Sequence, residues 1–206
     1  MTRIGDSFYL FDRQESILCI AMDLTVTARA GKPHAASLKR LLKKAIPLVP
    51  CAPDEISVVL VGDKLMSELH LRDLNIAGPT DVLTYEIDHD PATKRCVAGE
   101  VIVCVPEAAR QAKRRNSTIA NELLLYSLHG VLHLAGFDDR TERAFRKMHT
   151  MEDDILTQIG VGPVFSPTSE RRQSRKSETV SRKSTSTSRP TATARRNRAN
   201  VRIGAI

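Results

Sequence analysis

The positions of hydrophobic and polar residues along the chain predict alternating strands and helices. Short apolar runs rich in β-branched residues are typical of strands and occur at residues 17–26, 56–61, 80–87 and 96–105. Apolar residues at helical spacing predict a helix at 35–49 and a second helix that Asp63 caps and that runs to Leu74. Further helices are predicted to begin at Pro106, at Ser117 or Thr118, and at Thr141. This order predicts an α+β fold, a small mixed β-sheet covered by about five helices, with the helix from Ser117 or Thr118 at the centre.

Composition divides the chain into three segments. Residues 1–16 are mixed in charge and predict a loosely ordered extension, and residues 17–163 carry the pattern of a folded domain. Residues 164–206 are rich in Ser, Thr and Arg and too poor in apolar residues to form a core, so they predict a disordered basic tail. From residue 165 onward the balance of charge is +9 and the whole chain carries +7, so the preceding residues balance at −2. The tail is either an arm that binds RNA phosphates or an extension without a dedicated role.

The central helix carries two histidines at a spacing that suits a metal ion. His129 and His133 are four positions apart, so their imidazoles leave the same face of a helix and can converge on one ion. Gly136 can take the left-handed conformation that ends a helix, and the turn can bring Asp139 back beneath the two rings. Two histidines and a carboxylate with a fourth position open to water are the plan of a catalytic zinc site. The pattern therefore predicts one zinc ion; the alternative is a hydrogen-bonded pair of core histidines.

The cysteines and the hydropathy indicate the compartment. Cys19, Cys51, Cys96 and Cys104 are scattered without a CxxC pair, so they predict buried thiols in a reducing compartment and not a disulfide framework or a zinc ribbon. The apolar run at 17–22 is too short for an export signal, and no segment approaches the length of a membrane span. We therefore expect a soluble cytoplasmic protein that has no membrane partner.

Three stretches of the sequence match the motifs of a known family in order and spacing. They are residues 129–139 (HGVLHLAGFDD), 79–85 (PTDVLTY) and 99–103 (GEVIV), and residues 107–112 and 121–122 also match. In these motifs the chain resembles the YbeY family, the bacterial zinc-dependent endoribonucleases and ribosome-maturation factors. The likeness covers about residues 50–160, and three ordered motifs are far more specific than a histidine pair alone.

The resemblance implies a zinc-dependent endoribonuclease that cleaves single-stranded RNA. It implies a role in ribosomal RNA processing, chiefly maturation of the 3′ end of 16S rRNA, and in ribosome quality control. The implied partners are ribosomal RNA and the small ribosomal subunit, together with a small-subunit ribosomal protein and the GTPase Era. In chemical terms, the zinc would act as a Lewis acid on the phosphoryl group or as a source of hydroxide.

The chain departs from the family pattern at two positions. The family's third histidine is replaced by Asp139, an accepted zinc ligand that makes the ion less electrophilic because it is anionic. Many members have an arginine where this chain has Leu74, and Arg72 is the nearest substitute. The candidate catalytic residues are therefore Arg72, as a cation beside the phosphate, and Asp138, as a general base or as a group that orients a histidine.

Other residues near the motifs leave alternatives open. Arg140 is a second candidate cation beside the cleft, and Thr80 with Asp81 either lines the cleft or fixes a turn at the entry of a strand. Metalloproteases with a similar histidine spacing carry a glutamate directly after the first histidine, and Gly130 at this position argues against proteolysis. The two departures leave a second hypothesis, a zinc-containing ribosome-assembly factor without catalytic activity.

Overall fold

A mixed β-sheet forms the centre of the fold in the computed structural model, which describes residues 22–164 and the backbone of residues 201–204. In chain order the elements are β1 (Asp23–Ala28), α1 (Lys32–Ala45), β2 (Glu55–Val61), α2 (Asp63–Leu74), β3 (Val82–His89), β4 (Cys96–Cys104), α3 (Val105–Arg115), α4 (Ile119–Leu134), α5 (Glu142–Gln158) and β5 (Val201–Gly204). The predicted α+β fold with five helices is confirmed.

The strands are arranged in the order β1-β2-β4-β3-β5. Strands β1, β2 and β4 run parallel, while β3 pairs with β4 in the antiparallel direction. Three predicted strands agree with β2, β3 and β4 to within two residues, whereas the first prediction, 17–26, overlaps β1 only from Asp23. Residues 1–21 lie outside the described part of the chain.

Strand β5 was not expected from the sequence. Val201–Gly204 pairs with Val82–Tyr85 of β3 in the antiparallel direction and so extends the sheet at its edge. The expectation of a tail without structure is therefore wrong for these four residues. Residues 165–200, which carry most of the predicted tail, lie outside the described part of the chain.

The helix boundaries follow from local chemistry at each end. Thr118 and Thr141 cap α4 and α5 as predicted, because each hydroxyl accepts a hydrogen bond from a backbone N–H, that of Asn121 and that of Ala144 respectively. Helix α1 ends at Ala45 and not at Val49, and the chain continues through a 3₁₀ turn at Ile46–Leu48. Pro47 explains the change, since it has no N–H with which to continue an α-helix.

The predicted cap at Asp63 is wrong. Gly62 occupies the N-cap position of α2 without a side-chain hydrogen bond, and Asp63 is the first helical residue. The Asp63 carboxylate instead accepts two hydrogen bonds from the Arg110 guanidinium of α3, at 2.7 and 2.9 Å. This pairing lowers the pKa of Asp63 and connects α2 to α3.

The two faces of the sheet are covered by different helices. Alternate residues of β3 point to opposite faces, so that Val82 joins the large core with α1, α4 and α5, while Leu83 and Tyr85 join a smaller core with Met66 of α2. Helix α4 is buried continuously from Glu122 to Leu134. A helix that is buried on all sides is the centre of its layer, and this confirms the predicted central helix.

Two glycines permit a close approach between α4 and the sheet. A Cβ atom added at Gly130 would lie 2.5 Å from Cγ1 of Val101 on β4 and 3.0 Å from Oγ1 of Thr84 on β3. A Cβ atom added at Gly99 of β4 would lie 2.5 Å from Cδ1 of Leu134. The rotation of α4 about its axis is therefore fixed at two points, one turn apart.

The three cysteines within the described residues are free thiols in two environments, and Cys19 lies outside the described part of the chain. Cys96 and Cys104 are buried, and burial raises the pKa of these thiols to about 11 and about 12. Cys51 is exposed, so the expectation that it is buried is wrong. It lies in the connection between α1 and β2, with a φ of 58°. Within the described residues, each helix is too short or too polar to cross a membrane.

We expect Gly130→Ala to lower the free energy of unfolding by about 1 to 3 kcal/mol, because the new methyl group overlaps Val101. At an unhindered helical position the same substitution would instead raise helix stability by about 0.5 to 1 kcal/mol, so the sign of the change is diagnostic. Urea unfolding followed by circular dichroism measures it.

The matched control is Gly130→Ala in a Val101→Ala background, where both methyl groups nearest the new Cβ are absent. We expect the cost of the glycine substitution to fall in that background. An equal cost in both backgrounds would show that the contact with Val101 does not set the distance between α4 and the sheet.

Candidate metal centre

Helix α4 brings two imidazoles together. Nε2 of His129 lies 3.1 Å from Nε2 of His133, and the rings meet edge to face with their centroids 4.6 Å apart. Both histidines are buried, with exposures of 0% for His129 and 2% for His133. The two histidines therefore face each other through the same ring atom in an enclosed position.

The turn after α4 returns the chain to these rings, as the sequence predicted. Gly136 has a φ of 90°, in the left-handed region, and the N–H of Phe137 donates to the carbonyl of Leu132 at 2.9 Å. As a result Oδ2 of Asp139 lies 3.8 Å from Nε2 of both histidines. Asp139 keeps 16% of its side chain exposed, so the open side of the cluster is the side of the carboxylate.

The partners of the remaining ring nitrogens determine where the protons lie. Nδ1 of His133 is 3.1 Å from the carbonyl oxygen of Phe137, and Nδ1 of His129 is 2.7 Å from Oε1 of Glu152. Because both oxygens accept, both Nδ1 atoms donate, and a neutral imidazole that donates from Nδ1 carries a lone pair on Nε2. Two lone pairs and a carboxylate oxygen thus point toward one position.

This donor set fits a small divalent cation. The ligand atoms of His129, His133 and Asp139 all lie within 4.8 Å of one another. A tetrahedral zinc ion about 2.0 to 2.1 Å from two imidazole nitrogens holds them about 3.3 Å apart, which is close to the 3.1 Å observed here. The cluster could therefore hold a metal ion, with its exposed side open to a further ligand.

Glu152 and His149 are parts of the site that sequence reasoning missed. Both belong to α5; Glu152 is fully buried and accepts from His129 through Oε1 and from Nδ1 of His149 through Oε2 at 2.5 Å. Burial raises the pKa of Glu152, but the hydrogen bonds from His129 and His149, together with the electrostatic attraction of these two side chains, outweigh burial and leave its pKa below the ordinary value. The helical spacing of residues 149 and 152 was visible in the sequence, but nothing there indicated that this face meets His129.

The structure gives the two candidate catalytic residues other partners. Asp138 accepts from Nε of Arg140 at 2.9 and 3.0 Å, which holds the pKa of this carboxyl below its usual range. Arg72 forms two hydrogen bonds of 2.7 Å with Asp73, and 65% of its side chain is exposed. Arg140 is therefore engaged by Asp138, and neither Arg72 nor Asp138 belongs to the His-His-Asp cluster.

Leu74 lies on the other side of the sheet from α4. It packs against the smaller core that α2 forms with Leu83 and Tyr85. Asp73 links the end of α2 to β3, because its carboxylate accepts a hydrogen bond of 2.7 Å from the hydroxyl of Tyr85. The end of α2 thus presents Arg72 and Leu74 on the α2 face and not toward the histidines.

The Thr80 and Asp81 pair fixes a turn. Oδ1 of Asp81 accepts from the hydroxyl of Thr80 and from the N–H of Val82, both at 2.9 Å. The carbonyl of Asp81 accepts from the N–H of Cys104 at 2.8 Å. Of the two alternatives for this pair, the contacts support the structural one.

The position of Gly130 has no room for the glutamate that zinc proteases carry directly after the first histidine. The position after the first histidine faces β3 and β4 at van der Waals distance, so a glutamate side chain cannot occupy it. The general base of those proteases therefore has no place in this packing.

Comparisons with known proteins show the family to which the chain belongs. The family described as Endoribonuclease YbeY matches residues 26–160. An endoribonuclease YbeY of Thermobifida fusca is 33% identical over 145 residues, covering 66% of this chain and 92% of the relative, and one of Rhodococcus erythropolis is 30% identical over 147 residues, covering 66% and 81%. A solution structure of a Thermotoga maritima protein aligns with a TM-score of 0.47 and 24% identity, covering 77% of this chain and 99% of that one.

The site is thus a His-His-Asp cluster on the central helix of an α+β domain, within the length matched by a nuclease family. The chain belongs to the YbeY family of endoribonucleases. Its enzyme class is accordingly that of the nuclease hydrolases.

We expect Asp139→Ala to reduce the zinc bound by the purified protein toward zero, because one of three ligand groups is removed. Asp139→His should retain or raise the bound zinc, since an imidazole is also a zinc ligand. Metal analysis after dialysis measures both. Asp154→Ala, which removes an exposed aspartate of α5, is the control. Full occupancy in Asp139→Ala would place the third ligand elsewhere.

Proposed function

We propose that this protein is a zinc-dependent endoribonuclease specific for single-stranded RNA. The observation that carries the proposal is the convergence of Nε2 of His129, Nε2 of His133 and Oδ2 of Asp139 on one partly open position. Membership of the YbeY family supplies the coarser class of endoribonuclease. Zinc is proposed because two imidazoles and a carboxylate with one open position form a common catalytic zinc site.

The chain's own residues hold and orient the cluster. His129 and His133 supply neutral nitrogen ligands, each held by an acceptor at Nδ1, and Asp139 supplies an anionic oxygen. A bound zinc ion supplies Lewis acidity toward a phosphoryl oxygen or lowers the pKa of a water molecule. Because only Asp139 among the three is partly exposed, RNA would approach from its side.

Asp138, Arg140 and Arg72 are the charged side chains considered for a role beside the RNA phosphate. Asp138 follows Phe137 in the turn and is 35% exposed, and Arg140 holds it as a carboxylate. As a general base it would have to accept a proton against the pull of Arg140, so its stronger role is to position Arg140 beside an incoming phosphate. Arg72 pairs with Asp73 at the end of α2 and is the weaker candidate for a cation beside the phosphate.

We further propose that the substrate is ribosomal RNA and that the protein acts at the 3′ end of 16S rRNA and in ribosome quality control. The resemblance of residues 129–139, 79–85 and 99–103 to the family motifs supports this proposal. The proposed partners are the small ribosomal subunit, with a small-subunit ribosomal protein and the GTPase Era, in the cytoplasm. The basic residues after 165 suit a polyanionic partner.

A second candidate is a zinc-containing assembly factor without catalysis. Two observations favour it: an anionic ligand at Asp139 makes the ion less electrophilic, and the nearest substitute for the family's arginine, Arg72, is paired with Asp73 on α2. The two candidates differ in one measurable respect. A zinc-loaded protein that binds RNA without cleaving it, with or without a chelator, would be the assembly factor.

We expect His133→Ala to abolish cleavage of a single-stranded RNA and to reduce bound zinc, while the far-ultraviolet circular dichroism stays close to that of the unchanged protein. Gel analysis of a labelled RNA measures cleavage. The reason is that the substitution removes one of two converging Nε2 atoms.

The control is His34→Ala, which removes a partly buried imidazole from α1. It should leave cleavage within about twofold of the unchanged protein. Undiminished cleavage by a folded His133→Ala protein would refute the proposal, as would cleavage that persists after a chelator has removed the metal.

A further inference from the structure

A carboxylate of α5 lies between two buried imidazoles from different helices. Glu152 accepts from Nδ1 of His129 at 2.7 Å and from Nδ1 of His149 at 2.5 Å, through different oxygens. The exposed fractions are 0% for His129, 0% for Glu152 and 4% for His149. The two rings are nearly parallel, with an interplanar angle of 18° and centroids 6.1 Å apart.

We propose that Glu152 and His149 form a positioning pair for the metal centre, which holds His129 in the tautomer with its proton on Nδ1 and presents Nε2 to the cation. The inference rests on the proposed metal site and assigns it two residues of α5. Without an acceptor beside Nδ1, the proton of a neutral imidazole can move to Nε2, where it blocks a metal ion. A carboxylate behind a ligand histidine fixes both the tautomer and the ring orientation.

His149 is needed because Glu152 is fully buried. A carboxylate with only one donor would leave its second oxygen unsatisfied, which is costly for a group that is fully buried. His149 donates to that second oxygen, so both oxygens are engaged and the plane of the carboxylate is fixed. His149 holds Glu152, which in turn holds His129, and it is therefore a positioning residue.

The helical geometry of α5 makes this arrangement rigid. Residues 149 and 152 lie one turn apart on the same face, and Phe145, one turn earlier, packs edge-on against the His149 ring with centroids 4.1 Å apart. Met148, Ile155 and Leu156 of the same helix belong to the large core. The pair is thus anchored to a packed helix, and its position does not depend on the turn that carries Asp139.

Three substitutions test the roles of Glu152 and His149 one at a time. Glu152→Gln keeps the shape but replaces one acceptor oxygen by a donor, so it can accept from only one of the two histidines. His149→Phe removes the second donor and keeps a ring, while His149→Gln restores an N–H donor without the imidazole. Glu142→Gln, on the same helix but exposed and paired with Arg146, is the control.

Two readouts decide the outcome. Long-range ¹H–¹⁵N correlation spectra of the metal-free protein report the tautomer of His129, and competition with a chromogenic chelator reports the affinity for zinc. We expect the Nδ1–H tautomer in the unchanged protein and in Glu142→Gln, and a mixture of tautomers in Glu152→Gln. We expect zinc affinity to fall about 10- to 100-fold in Glu152→Gln, to fall in His149→Phe by about tenfold, and to recover largely in His149→Gln.

An unchanged tautomer together with zinc affinity within about twofold in folded Glu152→Gln would overturn the inference. Equal affinities in His149→Phe and His149→Gln would remove His149 from it. If Glu152→Gln does not fold, the two His149 proteins carry the same comparison. If the unchanged protein binds no zinc, the proposed function fails, whereas the tautomer spectra still decide whether Glu152 and His149 position His129.

Discussion

The contact between α4 and the sheet at Gly130 is the constraint on which the site depends. The absence of a side chain there lets the helix approach Val101 and Thr84 at a distance that any larger residue would prevent. Leu134 repeats the contact one turn later over Gly99. With the sheet side fixed in this way, the face that bears His129 and His133 has only one direction in which to point. It meets Glu152 of α5 on one side and the Asp139 turn on the other.

The charges around the histidines form a second constraint. As neutral ligands the two imidazoles would add no charge, while Asp139 and Glu152 would each contribute one negative charge. Two negative charges in and behind the ligand set balance one divalent cation. The cost of desolvating the Glu152 carboxylate is offset by two short hydrogen bonds, which is the condition under which a buried charge is tolerated. With a divalent ion bound, this balance would favour retention of the ion more than strong acidification of a bound water.

The sequence was informative wherever the relevant contacts are local. His129, His133 and Asp139 lie within eleven residues, so helical spacing and the turn at Gly136 were enough to bring them together. The caps at Thr118 and Thr141 were predictable for the same reason. Glu152 was not, because its role depends on how α5 packs against α4, and periodicity gives the buried face of a helix but not its neighbour.

Corrections to the sequence predictions also come from contacts between distant segments. Asp63 looked like a cap because it begins a helix, yet Arg110, 47 residues later, takes its carboxylate. Cys51 looked buried because cysteines usually are, but it lies in a connection outside the core. Residue type and local order alone could not distinguish these cases, since both depend on which surface the folded chain leaves accessible.

Strand β5 gives the end of the chain an unexpected geometry. Val201–Gly204 pairs with the edge strand β3 along Val82–Tyr85. An unpaired edge strand exposes a row of backbone N–H and C=O groups that another chain can pair with. By pairing with these groups, β5 keeps this part of β3 from adding a strand of a second molecule.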